Sequence, residues 1–350
     1  KAFKNKLEMR GMKVYVHYPT KGYPTDVELI VSDEGYGANH YIEVTKPIVV
    51  VTGPGPGSGK LATCLSNLYH EYKKGISAGY AKFETFPIWD LPVEHKVNIA
   101  YEAATVDLDD KVLIDKHHLN AYNEKVVNYN RDIEAFHLLK RIIEKITGGK
   151  SMYQSPTDMG VNRASAGIVN HKIISEASQE EIIRRYFRCA VEYAMGLAAK
   201  ITFERIKIIL KKVDAKPEDR KVVLLVREAA KEAEKTGKGN QGIYCGASVE
   251  LPDGTIITGK NSPLLHASSS LVLNATKHLA GLPDSMYLIP QSIIVSVNHL
   301  KKNILNGKMT SLDLDETLIA LSISALSNPA GQMALEKLKY LQDCEVHLTH

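Results

Sequence analysis

Residues 48–68, IVVVTGPGPGSGKLATCLSNL, run from β-branched residues into four glycines and two prolines, reach Lys60 and continue as a helical pattern. Strand, glycine loop and helix in that order form the unit from which α/β sheets are wound. In a standard phosphate loop, Gly-x-x-x-x-Gly-Lys-Ser/Thr, backbone N–H groups wrap the phosphates, the lysine reaches the terminal ones and the hydroxyl holds Mg²⁺. Gly59-Lys60 matches its end, but Pro54 stands where the first glycine belongs and Leu61 where the hydroxyl belongs. The remainder still suits an anion. Gly55, Gly57 and Gly59 let the backbone approach a ligand, Ser58 offers a hydroxyl, and the helix directs its positive end at the loop. Thr63 is the nearest substitute for the metal hydroxyl. The alternative is a rigid strand-to-helix turn with Lys60 in solvent; so many glycines, with a lysine at the helix start, favour phosphate.

Around this loop, MKVYVHY, KPIVVVT and AGYAKFETF read as strands. Helical spacing of Leu61, Leu65, Leu68, Tyr69 and Tyr72, then of Ile133, Phe136, Leu139, Ile143 and Ile146, predicts helices ending at Gly75 and Gly148. Such alternation predicts a parallel-type sheet covered by helices over residues 1–150. Residues 151–216 read as a helical segment: Ser178 and Glu181 suggest a capping box, and one long helix, or two joined near Gly196, follows. Residues 217–350 read as a third region. A helix at 218–235 precedes a hairpin turning at Asp253-Gly254, then a helix at 269–279, a strand SIIVSV, helices from Asp313 and near 331–341, and a strand CEVHLTH.

Polar residues near the loop supply candidates for chemistry. Lys82 and Glu84 share one strand face, so both can point at the loop, the alternative being a surface ion pair. Glu102, Asp107, Asp109 and Asp110 form a carboxylate cluster suited to a hard cation, with Asp109 and Asp110 read as helix-start or loop residues. NYNRD supplies Asn130 and Arg131. SPTDMGVN places Asp158 and Asn162 in a segment too polar for a core, and they are grouped with the substrate. The adjacent His117 and His118 diverge on any regular element and are read as structural.

Composition narrows the partners. Lys and Arg number 44 against 40 Asp and Glu, a net charge of +4 that argues against nucleic acid and is compatible with an anionic small molecule. Cys64, Cys189, Cys245 and Cys344 form no Cys-x-x-Cys pair, so a reducing cytoplasm is the simplest home. The longest aliphatic stretch, Ile48–Val51, is far short of the ~20 residues that cross a bilayer. The abrupt opening, KAFKNKLEMRGMKVYVHYP, reads as the last turns of a helix, a stop at Gly11 and a strand, which suggests a fragment lacking both ends.

Taken together, VVVTGPGPGSGKLATCLS, GYAKFETFPIWDLP, NIAYEAATVDLDD, SPTDMGVN and LPDGTIITGKNS closely resemble an uncharacterised bacterial family known as domain of unknown function 1846. The resemblance spans essentially the whole chain and implies longer family members. The loop and the strand after it also resemble kinase-like nucleotide-binding proteins that include dethiobiotin and CTP synthetases. The carboxyl-terminal order resembles the cytidine-deaminase fold, but His266-Ala267-Ser268 lacks the Glu that follows the first ligand, and no Pro-Cys-x-x-Cys comes after it.

The leading expectation is a phosphotransferase that uses ATP or another nucleoside triphosphate with Mg²⁺ on a small metabolite. Gly55, Gly57, Ser58, Gly59, Lys60 and Thr63 would hold the nucleotide. Lys60, Lys82 and Arg131 would act on the developing charge, Glu84 and Asp107 on the metal, and Asn130, Asp158 and Asn162 on the substrate. The alternative is a non-catalytic binding protein for a phosphorylated metabolite. Self-association is left open.

Overall fold

A computed structural model describes residues 2–55, 57–83, 87–160, 164–307 and 311–349. The chain divides into two compact units, Lys1–Asp214 and Ala215–His350.

The first unit contains α1 (Ala2–Glu8), α2 (Val27–Ile30), α3 (Lys60–Lys73), α4 (Lys96–Ala104), β1 (Val112–Ile114), α5 (Lys116–Tyr122), β2 (Val127–Tyr129), α6 (Asn130–Thr147), α7 (His171–Ala194) and α8 (Lys200–Lys212). Apolar residues at three- and four-residue intervals give α3 and α6 one sticky face each, and these faces meet. Leu65, Leu68 and Tyr69 pack with Phe136, Ile142, Ile143 and Ile146, and Val27, Ile30, Tyr36 and Met159 complete the cluster. Each such side chain contributes about 1.5–3 kcal/mol on burial, which outweighs any local propensity. The α6 helix stops where Gly148 turns left-handed at φ 67°.

The only sheet among the described residues of this unit is a short antiparallel pair, β1 on β2, with Val112 opposite Tyr129 and Ile114 opposite Val127. The parallel sheet expected for 1–150 is therefore absent from them. Segments 12–18, 46–52 and 78–83 join no ladder among the described residues. Ile48 and Val50 remain 81% and 84% exposed. A β-branched run becomes a strand only when a neighbour accepts its backbone hydrogen bonds and covers its side chains.

The expected long helix is two helices, α7 and α8, with Gly196 between them at φ 73°. Its start lies earlier than the Ser178 capping box: Asn170 accepts from the N–H groups of Lys172 and Ile173. Ser178 sits inside α7, where its hydroxyl donates to the Ile174 carbonyl at 2.6 Å.

The second unit contains α9 (Lys221–Lys235), β3 (Gly246–Glu250), β4 (Ile256–Lys260), α10 (Ala267–Leu279), α11 (Gln291–His299), α12 (Leu314–Ala325), α13 (Pro329–Lys337) and β5 (Glu345–Leu348). Its sheet has the order β4-β3-β5, antiparallel throughout. The hairpin turns at Asp253-Gly254, with Gly254 at φ 84°. Two glycines let helices settle on this sheet: a Cβ on Gly246 would lie 2.3 Å from the Val226 carbonyl oxygen, and one on Gly259 2.3 Å from the Leu271 nitrogen. Asp313 and Glu316 cap α12 reciprocally. SIIVSV, expected as a strand, lies within α11. Pro290 occupies its N-cap, and Ile293, Ile294 and Val297 put a helical stripe against Leu312, Leu321 and Ala334. The chain is thus mixed α/β, dominated by helix, with small antiparallel sheets.

Candidate functional site

The glycine loop is shaped by two left-handed residues, Gly57 at φ 72° and Gly59 at φ 88°. A Cβ on either would meet nothing within 4 Å, so backbone twist rather than crowding calls for glycine there. Gly53 is different, because a Cβ there would lie 2.4 Å from Ser58 Oγ: the loop folds back onto its own start. Lys60 closes it. Its ammonium donates to the Gly55 carbonyl at 2.8 Å and to Ser58 Oγ at 3.3 Å instead of extending into solvent.

Helix α3 begins directly beneath. Gly59 offers no side-chain cap, and the first helical bond runs from Thr63 N–H to the Gly59 carbonyl at 2.9 Å. The N–H groups of Lys60, Leu61 and Ala62 therefore have no acceptor within the helix. Uncapped donors, the positive end of the helix dipole and a folded lysine thus meet at the start of α3. Pro56 lies outside the described residues.

A second group of candidates gathers at the start of α6. Lys82 forms an ion pair with Asp132 in the first turn of α6, and its backbone N–H donates to the Met159 carbonyl at 2.5 Å. Arg131 grips Asp110 with two bonds, from Nε at 2.5 Å and Nη2 at 2.8 Å. The Asp110 side chain is only 1% exposed, and this hydrogen-bonded pairing raises the Arg131 pKa further. Asn130 accepts from the Lys111 N–H at 2.8 Å and so pins the same loop. Asp107 pairs with Arg185 at 3.0 Å, while buried Glu102 accepts from the Val112 N–H at 2.8 Å and meets Lys212 at 3.3 Å. These side chains already hold opposite charges or backbone groups. Among the described residues, the hydrogen bonds of Lys60 stay within its own loop. Glu84 and Asn162 lie outside the described residues.

Asp158 belongs to a polar core that sequence reasoning did not assemble. Its carboxylate accepts from Gln154 and Ser155 N–H groups at 2.7 and 3.0 Å and from the Tyr122 hydroxyl at 3.0 Å. Burial first, then that hydrogen bond, pushes the Tyr122 phenol up. Behind it, fully buried Asp115 caps α5 by accepting from the N–H groups of His117 and His118. Its other oxygen accepts from Thr157 Oγ at 2.7 Å, and Asn128 donates to the same hydroxyl at 3.1 Å. His118 Nδ1 lies 2.9 Å from Ser155 Oγ, another fully buried group. The signal was present: an aspartate immediately before KHHLNAY marks an N-cap. No three or more His, Cys, Asp or Glu side chains gather to hold a metal ion among the described residues.

The chain is a mixed α/β protein with a lysine-closed glycine loop opening a helix in one unit and a hairpin-bearing antiparallel sheet in the other. Family models then match both units: the amino-terminal domain of DUF1846, a domain of unknown function, over residues 1–214, and its carboxyl-terminal domain over residues 218–350. The chain belongs to this family. It is 57% identical over 347 residues to a UPF0371 protein of Clostridium botulinum (strain Alaska E43 / Type E3), which covers 99% of this chain and 69% of that protein. UPF0371 proteins of Clostridium tetani and Clostridioides difficile are each 56% identical over 347 residues, with the same two shares. Among the described residues, no helix is long and apolar enough to cross a membrane.

Proposed function

We propose that the glycine loop binds the phosphate of a nucleoside triphosphate or another phosphorylated metabolite, and that the described residues favour binding over turnover. One observation carries this reading: two left-handed glycines and an uncapped helix start lie under a lysine whose only partners among the described residues are the neutral Gly55 carbonyl and Ser58 hydroxyl. An incoming phosphate replaces weak neutral acceptors with a charge-assisted one. Lys82, Arg131, Asn130, Asp107 and Asp158 are already engaged elsewhere, which leaves less for catalysis.

Phosphotransfer from ATP with Mg²⁺ to a small metabolite is the second reading. Lys82 favours it: its side chain keeps 34% of its surface exposed beside the α3–α6 core, and Glu84 follows two residues later. In this reading Thr63 and Glu84 hold the metal, while Lys82, Asn130 and Arg131 meet the substrate. The described carboxylates alone do not supply a metal site. Zinc deaminase chemistry is not part of either reading, because His266-Ala267-Ser268 carries no general acid.

Calorimetric titration with ATP, with and without Mg²⁺, tests both. Lys60→Ala should weaken binding by about 1.5–3 kcal/mol, the worth of a charge-assisted hydrogen bond. Unchanged affinity in that variant sinks the phosphate role. Glu84→Gln should leave metal-free binding intact and abolish any Mg²⁺-dependent gain; a gain that survives removes Glu84 from the site.

A further inference from the structure

The second unit has an open pocket of about 270 Å³. One face of α10 forms a wall, with Ser270, Leu273, Asn274 and Lys277 recurring at helical spacing. Gly259 sets how close that wall comes, since any Cβ there would collide with the Leu271 backbone. Asn274 Nδ2 donates to the Thr258 carbonyl at 2.9 Å and fixes the rotation of the helix. Alternation along β4 turns the next side chain, Lys260, to the opposite face of the sheet, where it meets Glu232 of α9, so Lys277 is the ammonium on the α10 side. The buried side chains of Leu288, Ile289 and Ile294 supply an apolar lining.

Charge is one-sided here. Among the described residues that line the pocket there is no Asp or Glu, and Lys277 supplies a positive charge. Lys277 donates to the Asp284 carbonyl at 2.8 Å and meets no carboxylate among the described residues.

We propose that this pocket binds a small monocarboxylate with a branched-alkyl or phenyl body. Its carboxylate is held by Lys277, and its hydrocarbon lies on Leu273, Leu288, Ile289 and Ile294. Size supports this class: a cavity of about 150 Å³ accepts benzene, so the present volume admits a ring with a short acid arm.

The test titrates the full chain with 4-methylpentanoate and 3-phenylpropanoate, each against its uncharged amide. Saturable binding of an acid with a Kd below about 1 mM is expected, with the amide weaker by about tenfold or more. Lys277→Gln should lose the preference for acid over amide, while Lys60→Ala should keep it, separating this pocket from the glycine loop. Equal binding of acid and amide by the parent protein, or no saturable binding of either acid, overturns the proposal without relying on any variant. So does a Lys277→Gln protein that retains the preference.

Discussion

The starts of α3 and α5 solve one problem in opposite ways. Every helix opens with N–H groups that have no partner inside it. At α5, Asp115 answers from within the protein, fully buried and accepting from two backbone N–H groups and a threonine hydroxyl. At α3, Gly59 supplies no side chain, the loop above is exposed, and the nearest cation is turned back onto neutral groups. Lack of a side-chain cap is not itself distinctive, because α6 and α8 through α11 also lack one. The left-handed glycines and the folded lysine set α3 apart. The lesson is that internally saturated polar groups specify the fold, whereas unsaturated ones at the surface are available to a ligand.

The largest expected effect breaks the saturated side. Asp115→Ala leaves two helix donors and the Thr157 hydroxyl without their acceptor, and should cost about 3 kcal/mol in urea denaturation. A loss under about 1 kcal/mol would mean that water replaces the carboxylate and the contrast is one of degree. Next, Lys60→Ala should leave stability within about 0.5 kcal/mol of the parent while carrying the affinity loss given above. A clear fall in the denaturation midpoint would make Lys60 a structural clasp.

A third prediction uses pH. Burial, followed by repulsion from Arg220 and Arg227, lowers the His347 pKa from 6.5 to about 4. Between those values the unfolded chain binds more protons, so the stability due to a neutral His347 is complete above pH 6.5. It is lost as pH falls toward 4. Because the ring is partly exposed, the loss should be about 1–2 kcal/mol rather than the full shift. Denaturation across this range should steepen for the parent relative to His347→Gln; identical slopes would place the proton elsewhere. Smallest is Gly59→Ala, with open space but a positive φ, expected to cost about 1 kcal/mol. A more stable variant would show that the loop's twist does not need glycine.

Sequence reading succeeded where the governing contacts are close along the chain. The amphipathic stripe of α6 and its stop at Gly148, the Gly196 break, the Asp253-Gly254 hairpin and the helix start at Asp313 all depend on residues within a few positions. SIIVSV failed because a short β-branched run fits both periods, and only the α11 neighbours decide between them. KPIVVVT failed differently: its composition suits a strand, but a strand also needs a partner. In the site, the loop was legible because its residues are contiguous. The partners of Lys82 and Arg131 were not, since Asp132 lies 50 positions from the former and Asp110 lies 21 from the latter. Asp110, read as a loop residue, proves to be a buried counter-charge.

The middle strand of the second unit has a consequence for the timing of its assembly. β3 pairs on one side with β4, which follows it almost at once, and on the other with β5, where Ala247 meets Leu348. On the ribosome, β3 and β4 can form a hairpin early, but one edge of β3 stays open until β5 emerges. Its hydrogen-bonding groups then form an unguarded edge that can recruit a foreign strand. Arg220, just before α9, pairs with Glu345 and so ties the beginning of this unit to the strand that closes it. Nascent chains stalled before and after β5 should therefore differ sharply in protease resistance across residues 246–260.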